Sequence, residues 1–160
     1  MARYNFVPET IDPDHLFTDI AQVGLVVKDL DAIMTQMERF FNVPRPEVVH
    51  AKPFRGFYRG EPADYTADIA YYEQFNGIEL EFVQPLTGES IWADHLKGNK
   101  TILHHIRFNV REFDKCVEHL KSLGISVYQQ GDVSRDPSWR WCYFDTMDTL
   151  GFILEIFGKS

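Results

Sequence analysis

The sequence predicts an α+β fold in which two βαβββ modules form a half-open, barrel-like cleft. The first reason is an internal repeat, because residues 21–28 are echoed by residues 104–111 at an offset of 83 positions (104 − 21). The second is a later echo, since residues 77–83 resemble residues 151–157 at an offset of 74 (151 − 77). The offsets differ by nine (83 − 74), so the first module has a longer middle segment, which we place between Phe41 and Asp68.

The elements of the first module follow from its hydrophobic periodicity. A strand begins at Ile20, and a helix capped by Asp29 or Asp31 ends before Pro44. Residues 44–66, rich in Pro, Gly, Arg and aromatics, predict a strand interrupted by a loop. Asn76-Gly77 predicts a hairpin between strands 67–73 and 78–83, and residues 89–97 predict a short helical turn. The apolar residues at helical spacing in the helix are Ile33, Met34, Met37, Phe40 and Phe41.

The second module repeats this order. It consists of a strand, a helix stopped by Gly124 and three further strands, at residues 103–110, 113–123, 125–130, 139–145 and 151–157. We therefore divide the chain into an N-terminal arm (1–17), a first module (18–98) and a second module (99–160). The two modules are expected to form one structural domain.

Composition excludes several classes of function. The net charge of −8 argues against a nucleic-acid partner, because binding to phosphates requires clustered Lys and Arg. No apolar run approaches the roughly 20 residues that a membrane span needs, and the start of the chain does not resemble a signal peptide. We therefore expect a cytoplasmic protein. Cys116 and Cys142 are too few for a Cys-rich zinc site and are expected to be buried thiols.

Four polar residues occupy equivalent positions in the two copies. Gln22 matches His105 in the first strands, and Glu81 matches Glu155 in the last strands. Strand alternation places His105 opposite the more apolar face formed by His104, Ile106, Phe108 and Val110. Glu155 lies between apolar neighbours, and a buried carboxylate requires a cation, a partner or a raised pKa. A divalent metal ion is the simplest compensation.

Each of these residues also has an ordinary structural explanation. His105 is compatible with a hydrogen-bonded core histidine, Gln22 with a strand amide bonded to backbone, and Glu81 with a solvated side chain. Glu79 competes with Glu81 because both lie on one face of their strand. The repeat favours Glu81, since it matches Glu155 whereas Glu79 matches Ile153.

These residues resemble the vicinal oxygen chelate superfamily, which includes glyoxalase I, methylmalonyl-CoA epimerase, extradiol dioxygenases and bleomycin-resistance proteins. The resemblance extends from about Phe17 to Gly158. Members pair βαβββ modules and commonly place metal ligands on the first and last strands, where Gln22, Glu81, His105 and Glu155 stand here. The segments most similar to methylmalonyl-CoA epimerase are residues 81–86, Glu89-Ser90, residues 104–106 and Leu154-Glu155. Glyoxalase I is similar in having Gln as its first ligand.

The resemblance implies a divalent metal ion (Co, Ni, Mn or Zn) in an octahedral site with two positions open to a small-molecule substrate. It also implies proton transfer next to a carbonyl, with Glu155 as ligand and base together. Asp68 aligns near the position of a second acid, and Glu73 and Glu61 are weaker alternatives. A homodimer is expected from the resemblance alone.

Three classes of function are compatible with the sequence. The first is a metal-dependent epimerase or isomerase, or a glyoxalase-type lyase. The second is a ring-cleaving dioxygenase, which Gln22 and Glu81 disfavour because that chemistry uses two His and one carboxylate. The third is a metal-free small-molecule binding protein of the bleomycin-resistance kind, with aromatic stacking surfaces at Phe54, Phe57, Tyr58, Trp139 and Trp141.

Two segments depart from the epimerase pattern. Residues 134–141 stand where the epimerase has a Gly-rich stretch, and the Pro- and aromatic-rich segment after Pro44 has no counterpart. We expect both segments, residues 44–66 and 134–141, to line the cleft and to decide the substrate.

Overall fold

The computed structural model describes residues 16–159, so nearly all of the predicted N-terminal arm lies outside the described residues. The first module contains β1 (Phe17–Val27), α1 (Leu30–Phe41), β2 (Val49–Ala51), β3 (Gly56–Tyr58), β4 (Glu61–Pro62), β5 (Thr66–Phe75), β6 (Ile78–Thr87) and α2 (Ile91–Leu96). The second contains β7 (Thr101–Val110), α3 (Phe113–Ser122), β8 (Val127–Val133), β9 (Asp136–Phe144), α4 (Met147–Leu150) and β10 (Ile153–Lys159). No helix in the described part of the chain is long and apolar enough to cross a membrane.

The strands form one curled sheet with the order β2-β5-β6-β1-β7-β10-β9-β8-β3-β4. The first strands of the modules, β1 and β7, pair antiparallel at its centre. Each also pairs in parallel with the last strand of its own module, β6 or β10. The predicted α+β class and the half-barrel arrangement are confirmed.

Helices α1 and α3 pack on the outer face of the sheet. Asp29 caps α1 by accepting a hydrogen bond from the backbone N–H of Ala32, and Asn42 ends the helix in the left-handed conformation. Met34 and Met37 are buried against the strands as predicted, but Phe40 and Phe41 are 67% and 56% exposed. These two rings lie in the last turn of α1, where Phe41 still makes an edge-to-face contact with Phe75 at a centroid distance of 5.7 Å. Cys116 and Cys142 are buried free thiols, as predicted.

The long middle of the first module connects the two sides of the cleft. Strand β2 pairs with β5 in the first module, whereas β3 pairs with β8 in the second. The backbone N–H of Phe54 donates to the carbonyl of Asp132, and Asp132 N–H donates to the carbonyl of Arg55. We call residues 49–58 the strap, because they join both edges of the half-barrel. The predicted interrupted strand is therefore two strands that belong to opposite sides.

Three bulges interrupt the pairing of β1 with β7. The first lies between the pairs Phe17–Val110 and Asp19–Asn109, where Thr18 is an extra residue in β1. Between the pairs Ile20–Phe108 and Gln22–Arg107, Ala21 is an extra residue in β1. Between the pairs Gly24–His105 and Leu25–Leu103, His104 is an extra residue in β7. The alternation predicted from sequence is therefore wrong at His104, whose ring lies beside that of His105 with the two Nδ1 atoms 2.9 Å apart.

Candidate metal centre

The four residues predicted as metal ligands lie on four adjacent strands at the centre of the sheet. Gln22 is on β1, Glu81 on β6, His105 on β7 and Glu155 on β10. Gly24 is the cross-strand neighbour of both Glu81 and His105. The sheet order β6-β1-β7-β10 thus brings together side chains that are far apart in sequence. All four are buried.

Three oxygen atoms lie around one imidazole nitrogen. His105 Nε2 is 3.2 Å from Gln22 Oε1, 3.0 Å from Glu81 Oε2 and 3.2 Å from Glu155 Oε2. Neighbouring ligands on one metal ion with bonds of 2.0–2.2 Å are also separated by about 3 Å when the angle between them is near 90°. The spacing of the donor atoms is therefore compatible with a shared metal ion.

Hydrogen bonding alone does not satisfy this cluster. A single N–H on His105 Nε2 can point well at one acceptor, yet three oxygens surround it. Glu81 Oε2 and Glu155 Oε2 are buried without a hydrogen-bond partner. A cation among these atoms would compensate both carboxylates. No group of three or more His, Cys, Asp or Glu side chains within residues 16–159 is already arranged as a metal site.

Gly24 provides the space for the His105 ring. A Cβ atom at position 24 would lie 1.9 Å from Cε1 and 2.0 Å from Nε2 of His105. The imidazole therefore occupies the volume that any side chain at position 24 would need. A strand glycine at this point marks a close approach between elements, here one that positions the predicted ligand.

The buried charges shift the pKa values in the cluster. Burial raises the pKa of Glu155 to about 7, although His105 and Arg107 act to lower it. Burial lowers the pKa of His105, but Glu155 and Glu81 outweigh this effect and the net shift is upward. Burial also raises the pKa of Glu79. A carboxylate with a pKa near 7 is suited to exchanging protons at neutral pH.

Glu79 and Arg107 complete the polar floor of the cleft. Gln22 Nε2 donates a hydrogen bond to Glu79 Oε1, which leaves Gln22 Oε1 directed at His105. Arg107 Nη2 lies 3.5 Å from the same Glu79 oxygen. In the sequence Glu79 is a competitor of Glu81 for the role of ligand, whereas in the structure it is the hydrogen-bond partner that orients Gln22. Arg107 could have been found from the sequence, because strand alternation places it on the same face of β7 as His105.

A cavity of about 660 Å³ lies above this floor. Glu81, Arg107 and Glu155 contribute to its lining, together with aromatic walls. Residues 47–53 and 132–135 also line it, so both segments that break the repeat contribute to the cleft as expected. A larger hollow of about 790 Å³ lies beside α3 and contains none of the four predicted ligands. The aromatic residues of the 660 Å³ cavity are Tyr71, Trp92, Trp141, Tyr143 and Phe157.

The structure does not bring Asp68 to the cluster. Asp68 contacts His50 through its carboxylate, 2.5 Å from Nδ1, while its neighbours Ile69 and Tyr71 line the cavity. A strand alternates faces, so Asp68 points away from the site. The weaker alternatives, Glu73 and Glu61, are exposed. Tyr71, the cross-strand neighbour of Glu81, stands on the cavity side of β5 instead.

The comparison with protein families agrees with the geometry. Residues 21–143 match the family model of the glyoxalase/bleomycin resistance protein/dioxygenase superfamily. The chain therefore belongs to this superfamily, and the resemblance identified in the sequence is confirmed.

Solved structures with this fold include two methylmalonyl-CoA epimerases. The enzyme from Mycobacterium tuberculosis gives a TM-score of 0.64 at 14% identity and covers 94% of this chain and 93% of that chain. A variant of the Streptomyces coelicolor enzyme, in complex with 2-nitronate-propionyl-CoA, gives 0.61 at 18% identity, over 90% of this chain and 99% of that chain. A hypothetical protein from Bacillus halodurans gives 0.62 at 13% identity, over 89% and 94%. At these identities the likeness establishes the fold alone. The search of curated proteins finds no match.

Proposed function

We propose that the protein is a metal-dependent enzyme that removes a proton from a carbon next to a carbonyl group, as an epimerase, an isomerase or a glyoxalase-type lyase. The observation that supports this proposal is the grouping of three buried side-chain oxygens within 3.2 Å of His105 Nε2 at the floor of a cavity. Gln22, Glu81, His105 and Glu155 would hold a Co, Ni, Mn or Zn ion. The internal repeat, which pairs these residues, is consistent with this assignment. So is the fold that the chain shares with methylmalonyl-CoA epimerases.

The chemistry divides between the ion and the side chains. A divalent ion supplies Lewis-acid stabilisation of the negative charge that develops on a carbonyl oxygen when a proton leaves the neighbouring carbon. Glu155, a buried carboxylate that lines the cavity, would accept that proton and return it to the substrate carbon. Gln22 is held in place by Glu79. Five aromatic side chains line the cavity beside these polar groups.

Metal binding is the first test. We expect the purified protein to bind close to one Mn²⁺ per chain, measured by titration with electron paramagnetic resonance detection of free Mn²⁺. His105→Ala removes a nitrogen ligand and is expected to weaken binding by about 100-fold or more. Glu73→Gln removes an exposed carboxylate on β5 and serves as the matched control, with unchanged affinity. A folded wild-type protein without stoichiometric metal would contradict the proposal and favour a metal-free binding function.

Proton exchange is the second test. Incubation of a 2-methyl-branched malonyl thioester with the metal-loaded protein in D₂O is expected to introduce deuterium at C2, followed by NMR. Glu155→Gln keeps an oxygen ligand but removes the base, so exchange is expected to fall by at least about 100-fold while most of the metal stays bound. A rate of exchange equal in wild type and Glu155→Gln would contradict the role of Glu155. Metal binding without exchange would direct the search to glyoxalase-type substrates.

A further inference from the structure

We propose that Arg107 binds a carboxylate of the substrate, so that small organic acids bind in the cleft more tightly than their neutral counterparts. This inference rests on the proposed function, because its charge balance includes the metal ion. The floor already contains the three carboxylates Glu79, Glu81 and Glu155. One divalent ion and one guanidinium would balance those three negative charges. An acid group could then enter the cleft without net repulsion.

Arg107 stands where the symmetry of the repeat is broken. The repeat makes Arg107 the equivalent of Gly24, at the offset of 83 (107 − 24). Gly24 leaves room for His105, whereas its equivalent in β7 fills the corresponding place with a guanidinium group. Arg107 is the cross-strand neighbour of both Gln22 and Glu155. Its charge therefore stands beside two of the proposed ligands.

Protein partners do not satisfy all the hydrogen-bond donors of the Arg107 guanidinium group. Arg107 Nε is buried and has no hydrogen-bond partner. Its ion pair with Glu79 is long, at 3.5 Å, against about 2.7–2.9 Å for a strong charge-assisted hydrogen bond. The same Glu79 oxygen already accepts a hydrogen bond from Gln22. Unsatisfied buried donors are rare and call for a ligand or another explanation.

A stack of rings holds Arg107 in this position. The guanidinium carbon lies 5.2 Å from the centre of the Phe157 ring, and Phe157 lines the cavity. Phe157 in turn stacks on Trp139, with centroids 5.0 Å apart and planes 15° apart, and Lys159 lies over Trp139. Such cation–π contacts orient the planar group without occupying its N–H donors. The donors therefore stay available to a ligand.

A carboxylate is the ligand that matches this geometry best. A guanidinium presents its N–H groups in a plane that pairs with two carboxylate oxygens at once. The cavity of about 660 Å³ accommodates a small organic acid. The proposed substrate thus has one oxygen-bearing group at the metal and a carboxylate at Arg107.

The test measures binding of small acids by isothermal titration calorimetry. The probes are methylmalonate, succinate and lactate, with malonamide as the neutral counterpart, on Mn²⁺-loaded protein. In Arg107→Met the affinity for the acid that binds best is expected to fall by about 10-fold or more, since charge-assisted hydrogen bonds contribute about 1.5–3 kcal/mol. Arg107→Lys should retain part of the affinity. Arg135→Met is the matched control, because Arg135 lines the same cavity but is exposed, and a change below about 2-fold is expected.

The outcomes separate this inference from the proposed metal centre. Mn²⁺ affinity is measured for every variant, and an unchanged value in Arg107→Met shows that the ligands are intact. If the wild-type protein binds no Mn²⁺, the proposed function fails, and the same acid titrations on the metal-free protein still decide the role of Arg107. Equal affinity in wild type and in folded Arg107→Met overturns the inference. So does the absence of saturable binding of all three acids.

Discussion

Gly24 shows how a residue with no side chain determines the chemistry of its neighbours. Its hydrogen atom faces the His105 ring at a distance where a methyl group would overlap Cε1 and Nε2. The backbone of β1 and the ring of β7 are therefore complementary in shape. This complementarity directs Nε2 toward Gln22, Glu81 and Glu155.

Gly24→Ala is accordingly expected to displace the imidazole and to weaken Mn²⁺ binding by about 10-fold or more. Overpacking of this kind also costs about 1–3 kcal/mol in the free energy of unfolding. Gly158→Ala is a control that is also crowded, though less severely, because its Cβ would lie 2.7 Å from the carbonyl oxygen of Val110, away from the proposed ligands. Calorimetric titration with Mn²⁺ distinguishes the two, since Gly158→Ala should lose stability but keep its affinity. Equal loss of affinity in both variants would argue that Gly24 acts through stability alone.

Among the elements, the strap connects the two sides of the cleft. It pairs with β5 at one end and with β8 at the other. The ion pair of Arg55 with Asp132 holds its centre, with Arg55 Nε 2.6 Å from an aspartate oxygen that is largely buried. Arg140 Nε lies 3.8 Å from the other oxygen of Asp132, so Arg55 makes the shorter contact.

Arg55→Ala is therefore expected to loosen the strap. Amide hydrogen exchange in residues 54–58 should become about 10-fold faster, since a hydrogen bond to a charged group contributes about 1.5–3 kcal/mol. Peptides from β1 and β7 should keep their protection. Lys52→Ala is the matched control, because Lys52 and its partner Asp64 are both more than half exposed. Unchanged exchange in Arg55→Ala, measured by mass spectrometry, would show that backbone pairing alone holds the strap.

The sequence predicted the elements well where periodicity was regular. Alternation in β6 and β10 correctly put Glu81 and Glu155 on the cavity side, and the repeat correctly paired Gln22 with His105. It failed at His104, because a bulge adds a residue without any change in side-chain pattern. The alignment of Asp68 with a second acid did not bring it to the cavity, because Ile69 and Tyr71 of β5 line the cavity and Asp68 lies on the opposite face of that strand. The pairing of β3 with β8 was not predictable, since it depends on how the two modules face each other.

At the scale of the whole molecule, the two modules share their central strands. β1 pairs with β6 of its own module and with β7 of the other, and the strap adds a second connection. Neither module buries its cavity side alone, so we expect one cooperative unfolding transition. The homodimer expected from the superfamily stays a prediction, which sedimentation equilibrium can test by comparing the measured mass with that of one chain.

The stability of the metal-free molecule is expected to fall as pH rises from about 5 to about 8. The pKa of Glu155 is about 7 in the folded protein and near 4.5 ordinarily, so the unfolded chain releases this proton first and ionisation favours unfolding. His105 acts in the same direction, because its pKa is raised and its stabilising charge is lost as pH rises through the folded value. Glu79 adds to the trend.

Thermal unfolding midpoints across this pH range test the prediction. The decline should be shallower in Glu155→Gln, which has no proton to lose at that position. At pH 8, saturating Mn²⁺ should raise the unfolding midpoint of the wild-type protein most of the way back to its value at pH 5, since a ligand that binds the folded state stabilises it. An equally steep decline in Glu155→Gln would assign the pH dependence to other groups.

Two of the three bulges in the central strand pair carry information about the history of the chain. The extra residues Ala21 and His104 are separated by 83 positions (104 − 21), the offset of the repeat itself, and each directly precedes a proposed ligand. One bulge copied with its module accounts for both more simply than two independent insertions. The ancestral single module then already had its irregular strand, and two copies of it would have formed a symmetric site. The present chain retains that symmetry in its backbone, while Gly24 and Arg107 show where its two halves have since diverged.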